Sequence, residues 1–212
     1  MERAALYEGA AAMREAVYGN PDRSTRHALA ARQLAGGRDA DFPSGVALAL
    51  SGNASSTLDI VKRLETEYPE DTCVRFTYVP VLRALLEMIA GNAQNAIELL
   101  SMSKAYEFAQ NGIGFFRFYG ALYPTYVRGL AYRQLHKNGE AAAEFQRMLD
   151  HPGLLLADPI GPAARLQLAR ALRDSGETAR AKAVYSEFLS LWKDAEPDIP
   201  LLLQAKTEFA GL

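Results

Sequence analysis

The stretch YVRGLAYRQLHKNGEAAAEFQRML, residues 126–149, reads as two helices joined by one turn. Gly129 and Tyr132 fall on the first helix, Ala141 and Phe145 on the second. Residues 165–189, RLQLARALRDSGETARAKAVYSEFL, repeat the arrangement with Ala169, Leu172, Ala181, Tyr185 and Phe188 at the matching places. Close packing explains the pattern: small residues let two helix backbones approach, and a large one from each helix fills the gap beside them. Working backwards, residues 45–71 fit with Gly45, Leu48, Val61, Leu64 and a terminating Pro69, while residues 11–32 fit weakly. The turns show the same recurrence. Gly19-Asn20, Gly52-Asn53, Gly91-Asn92 and Gly176-Glu177 each end one apolar-periodic stretch and begin another, and Asn138-Gly139-Glu140 is a looser version. Glycine can take the left-handed conformation that ends a helix, and Asn can cap the next.

The first two turns lie 33 residues apart and the next interval is 39. A period near 34 with one turn between two helices is the spacing of tetratricopeptide (TPR) repeats. The expected fold is therefore all-α: a right-handed TPR-type superhelix of about five helix pairs and a capping helix, in one domain spanning 1–212. The repeats are expected at 4–36, 38–70, 72–108, 117–150 and 160–193, with the cap at 199–210. Asn20-Pro21 and Asp158-Pro159 suit helix starts. Pro80 and Pro124 predict a kink or a start inside two long first helices.

Composition agrees. Hydrophobic residues make up 49% and charged residues 23%, as in ordinary globular chains. The formal net charge of −2 supplies no general field for nucleic acid. The first twenty residues hold no signal-peptide core, and no segment approaches the ~20 apolar residues of a membrane helix. The expected setting is cytoplasmic. The single cysteine, Cys73, excludes an internal disulfide and reads as a small buried hydrophobe. A helical pattern from the first residues suits one domain of a longer protein.

Two insertions, 101–118 and 151–161, break the period. Ten of the 20 aromatic residues lie between Tyr106 and Phe145. Either the first insertion presents an anchoring patch, or it folds back and plugs the groove with Phe115, Phe116 and Phe118. The first helix of each pair lines the concave face of a TPR stack. The register places Tyr78, Val81, Leu85 and Met88 there, then Tyr123, Tyr126, Leu130 and Arg133, then Leu166, Arg170 and Arg173. Tyr78, Tyr126, Arg133, Arg170 and Arg173 are the candidate binding residues of a groove running from apolar to basic. Such a basic end suits a carboxylate, with a solvated face as the alternative. The Lys-and-Asn carboxylate clamp of chaperone-binding repeats does not stand at these positions.

Nothing in the sequence points to catalysis, a cofactor or a metal. His27, His136 and His151 are far apart and lack a metal-ligand spacing. NGIGFFR, residues 111–117, has Arg117 where a phosphate loop needs its third glycine. Glu140 and Glu144, one turn apart, read as a solvated pair, and Asn53-Ala54-Ser55 as a chance sequon within a turn.

Residues 67–100, 118–132, 141–171 and 188–212, with their non-consensus linkers, resemble the C-terminal TPR segments of large bacterial serine/threonine protein kinases. Similar segments follow winged-helix domains in related regulators. The resemblance spans about residues 40–212. It implies a sensory or recruiting module behind an effector domain, and it brings no active-site residue, since no kinase motif occurs in this chain. The expected partner is a protein or peptide. The alternative is a self-association module that pairs two effector domains as a homodimer.

Overall fold

The computed structural model describes residues 1–109 and 121–212. Among them every regular element is helical. Four helix pairs come first: α1 (Glu2–Val17) with α2 (Pro21–Leu34), α3 (Arg38–Leu50) with α4 (Ala54–Glu67), α5 (Val79–Ile89) with α6 (Ala93–Leu99), and α7 (Tyr123–Gln134) with α8 (Asn138–Leu149), the third of them shorter at both ends than the expected 72–108. A single turn of helix, α9 (Pro152–Leu155), occupies the second insertion. The fifth pair is α10 (Ile160–Asp174) with α11 (Thr178–Leu191), and α12 (Pro200–Ala210) follows it.

Five turns share one hydrogen-bond geometry. Gly19, Gly52, Gly91 and Gly176 take φ of 81–90°, and His136 takes 57°. At each, the next residue's N–H donates to the carbonyl five positions back: Asn20 to Glu15, Asn53 to Leu48, Asn92 to Glu87, Lys137 to Tyr132 and Glu177 to Leu172, all within 2.8–2.9 Å. This is the Schellman end of a helix, which satisfies carbonyls the helix leaves open. The fourth turn corrects the expectation of a break at Asn138-Gly139, because both residues lie inside α8 and His136 supplies the left-handed residue. A side chain there strains the backbone by about 1–2 kcal/mol, partly offset by the flexibility glycine adds to the unfolded chain. His136→Gly is thus expected to raise stability by about 0.5–1 kcal/mol in a denaturant titration; a loss would mean that the exposed imidazole contributes something other than strain.

The asparagines divide their roles. Asn53 Oδ1 accepts from the Ser56 N–H, as a cap should. Asn20 and Asn92 instead donate to Glu15 and Glu87, each at 3.0 Å, tying the turn to the preceding helix.

Stacking is neighbour to neighbour. First helices meet in series (α1 with α3, α3 with α5, α5 with α7, α7 with α10), and each second helix also packs on the next first helix. Glycine marks the tightest crossings. A Cβ on Gly45 would stand 2.8 Å from Leu82, and one on Gly129 2.6 Å from the Phe145 ring. Phe145 is wholly buried, so it cannot yield. Gly129→Leu is therefore expected to cost about 1–3 kcal/mol net, overpacking exceeding the ~1 kcal/mol of helix propensity gained. Gly139, with open space around it, serves as the control; equal denaturation midpoints for Gly129→Leu and Gly139→Leu would refute the crossing.

The array also closes on itself. The Leu201 N–H donates to the Tyr18 carbonyl at 3.1 Å, and the Tyr18 and Trp192 rings meet edge to face at 5.1 Å. The start of α12 thus seats on the turn of the first pair. Its Leu201, Leu202 and Ala205 are buried.

Candidate functional site

The sequence-chosen groove residues sit close together, but as core. The Tyr78 ring stacks on Phe42 at 4.1 Å, and Phe42 meets Tyr123 edge to face at 5.5 Å. Tyr78 donates its hydroxyl to Asp39 at 3.0 Å. Tyr126 packs edge-on to Phe145. Tyr78, Val81, Leu85, Tyr123, Tyr126 and Leu166 are all buried. The correction is physical: first helices from successive pairs turn their large rings towards one another, so the line of tyrosines is internal contact surface. Phe115, Phe116 and Phe118, the expected plug, lie outside the described residues. The described part of the first insertion is held by the third and fourth pairs. α6 ends at Leu99 and a 3-10 turn, Leu100–Ser103, follows, shorter than the helix expected to 108. Tyr106 stacks on Phe76, and Phe108 lies against His151 beneath the Arg147 guanidinium.

The three groove arginines do converge, on carboxylates of this same chain, Asp174 and Glu208. Arg170 grips Glu208 of α12 through Nε and Nη2 at 2.7–3.1 Å and also donates to Gln204. Arg173 donates to Asp174 at 2.8 Å, and Arg133 donates to Asp174 and Gln167. The Tyr185 hydroxyl donates to Glu208 at 2.7 Å. Burial pushes the Glu208 carboxyl upward, but the hydrogen bonds from Arg170 and Tyr185 and the two arginine charges outweigh it and hold the group below its usual value. The Arg170 side chain is only 12% exposed. The expectation of a basic groove end open to a partner's carboxylate is corrected at Arg170, because α12 supplies that carboxylate and fastens the cap to the fifth pair, while Arg173 keeps 32% of its side chain exposed.

A cleft elsewhere has the shape that this closed face lacks. It lies between the second and third pairs, is half-open, and has a volume of about 340 Å³. Tyr68, Pro69, Val74, Val79, Leu99 and Met102 form its apolar walls, and Arg75, Arg83 and Glu65 its polar edge. Proline creates it. Pro80 has no N–H for the carbonyl four residues back and its ring crowds that turn. The chain answers with a wider π-helical turn, Val74–Tyr78, whose closing bond runs from the Val79 N–H to the Val74 carbonyl. Such widened turns displace side chains sideways and recur at binding sites. Arg83 bridges the edge to Glu65 through three contacts of 2.7–2.9 Å. Arg75 has a looser hold, one 3.2 Å contact to the outward Glu70, with its guanidinium 5.4 Å from the Phe76 ring centroid. Sequence reading marked Pro80 as a kink or a helix start; the cleft needs Leu99 and Met102 from the far end of the pair, which no local pattern reveals.

Among the described residues no three His, Cys, Asp or Glu side chains converge. Cys73 is half-buried against the core, and burial raises its thiol pKa. None of the helices built from the described residues is long and apolar enough to cross a membrane. No protein-family model matches the chain, and comparisons with characterised proteins and with solved structures find no relative.

Proposed function

We propose that the chain is a protein-interaction scaffold of the TPR type, a sensory or recruiting module of a bacterial signalling protein rather than an enzyme. The observation that supports this most is the fivefold recurrence of one helix-turn-helix unit with the same Schellman turn, stacked neighbour to neighbour. Such arrays offer extended, rigid surface at low topological cost, and binding is the use that surface serves most directly. The half-open cleft adds a place where a partner's side chain can be buried.

The test uses the full chain as bait in a bacterial extract, followed by titration of each retained protein, purified, against the purified chain. A saturable complex of defined stoichiometry supports the scaffold reading. Failure of every retained protein to bind as a purified pair would overturn it. A concentration-independent dimer by light scattering, with no other partner, would replace it with self-association; Leu191 and Leu203, exposed on α11 and α12, are the side chains that reading would use.

A further inference from the structure

We infer that the cleft between α4 and the π-helical turn receives a large apolar side chain of a partner peptide whose neighbouring residue is acidic. The inference rests on the scaffold reading and names the partner's chemistry. Volume comes first. About 340 Å³ falls within the roughly 300–1,000 Å³ of ordinary ligand sites, and the walls are apolar apart from one edge. Being half-open, the cleft can admit a side chain that protrudes from a chain lying across its mouth.

Charge then sets the neighbour. Arg83 is already engaged by both oxygens of Glu65, so its charge is matched. Arg75 is not held in this way. Its guanidinium is half exposed, its single partner Glu70 is 88% exposed, and an exchange of one well-solvated carboxylate for another costs little. A partner carboxylate set on Arg75 while an apolar side chain fills the cleft gains a charge-assisted hydrogen bond beside desolvated surface. Phe76, under the Arg75 guanidinium and stacked on Tyr106 at 4.5 Å, holds that cation at the cleft's edge. Met102 also lines the cleft, half exposed, and methionine adapts to side chains of different shape.

The experiment is selection of a random heptapeptide display library on the full chain, on Met102→Trp, which fills the cleft, and on Arg75→Glu, which reverses the charge. Both positions are exposed, and circular dichroism melting checks that each variant folds as the parent does. The expected result is enrichment of Leu, Met or Phe adjacent to Asp or Glu on the parent, with at least tenfold weaker binding of the enriched peptides to each variant. Arg75→Glu should shift the preferred neighbour from acidic to basic. Enriched peptides that bind both variants as well as the parent would overturn the cleft assignment and leave the scaffold reading standing. Enrichment of peptides without an acidic neighbour would overturn the role of Arg75. A library from which nothing is enriched would overturn the inference, while the partner titration above decides the scaffold reading independently.

Discussion

Arg128→Met is expected to lower the unfolding free energy by about 3–5 kcal/mol, the cost of leaving a buried charge without its partner. Arg128 and Glu107 are each about 1% exposed. Arg128 donates to Glu107 from Nη1 at 2.5 Å, and to both oxygens of Glu144 from Nε and Nη2 at 2.9 and 2.7 Å. Arg147 reaches the other oxygen of Glu107. Burial alone would lower the pKa of the Arg128 guanidinium, but the hydrogen bonds it donates to the two glutamates raise it, so the guanidinium keeps its charge in this buried setting. Removing Arg128 leaves Glu107 with one half-exposed partner and Glu144 without its bidentate donor. Removing both charges should cost far less, because an apolar pair needs no compensation. Arg128→Met with Glu107→Leu is therefore expected to recover at least half of the loss in a double-mutant cycle. A single-variant cost below about 1 kcal/mol would show that the network carries no stability.

The same network has a local readout. The Glu107 carbonyl accepts from the Leu122 N–H at 3.2 Å, so this residue pins the first insertion to the start of α7 by backbone and side chain together. Tryptic cleavage at the exposed Lys104 should accelerate in Arg128→Met beyond what global destabilisation explains.

What could be read beforehand follows from the range of each cause. The helix pairs were legible because a Schellman turn is local: Gly19, Gly52, Gly91 and Gly176 announce it within six residues. His136 was not, since histidine takes the left-handed geometry far less readily than glycine and so does not announce it. Gly129 and Phe145 were legible as a packing pair because repeats fix their spacing. The charge pairings were not. Glu208 meets Arg170 across 38 positions, and Arg128 meets Glu107 across 21, with no periodicity linking partner to partner. The groove register was silent on exposure. Whether a concave face is open depends on how tightly the array curls, and that is settled by contacts such as Tyr18 with Leu201, at opposite ends of the chain.

Asp158→Asn is expected to stabilise the protein at alkaline pH by about 2–4 kcal/mol and to leave it nearly unchanged in acid. The Asp158 Oδ1 accepts from the Tyr123 hydroxyl at 2.8 Å and from the Ile160 N–H at 3.0 Å. Tyr123 also touches the Met13 sulfur, and the Tyr18 pKa is raised by burial and, more weakly, by the Asp158 charge. The carboxyl thus sits where the first helix, α7 and the start of α10 come together. Burial pushes its pKa to about 7, against the lowering effect of its two hydrogen bonds. The native state therefore holds this proton more tightly than the unfolded chain, whose carboxyl titrates near pH 4. The resulting stability is fully present below about pH 4 and is lost as pH rises through 7. Three pKa units correspond to about 4 kcal/mol; partial exposure of the residue sets the lower end of the range. Asparagine keeps an oxygen for both donors and carries no charge to desolvate. Urea titrations between pH 4 and 9 should show the parent falling while the variant stays level. Parallel curves would mean that Asp158 is ionised in the native state at all these pH values, and that the junction of the first pair with the last is not proton-linked through this carboxyl.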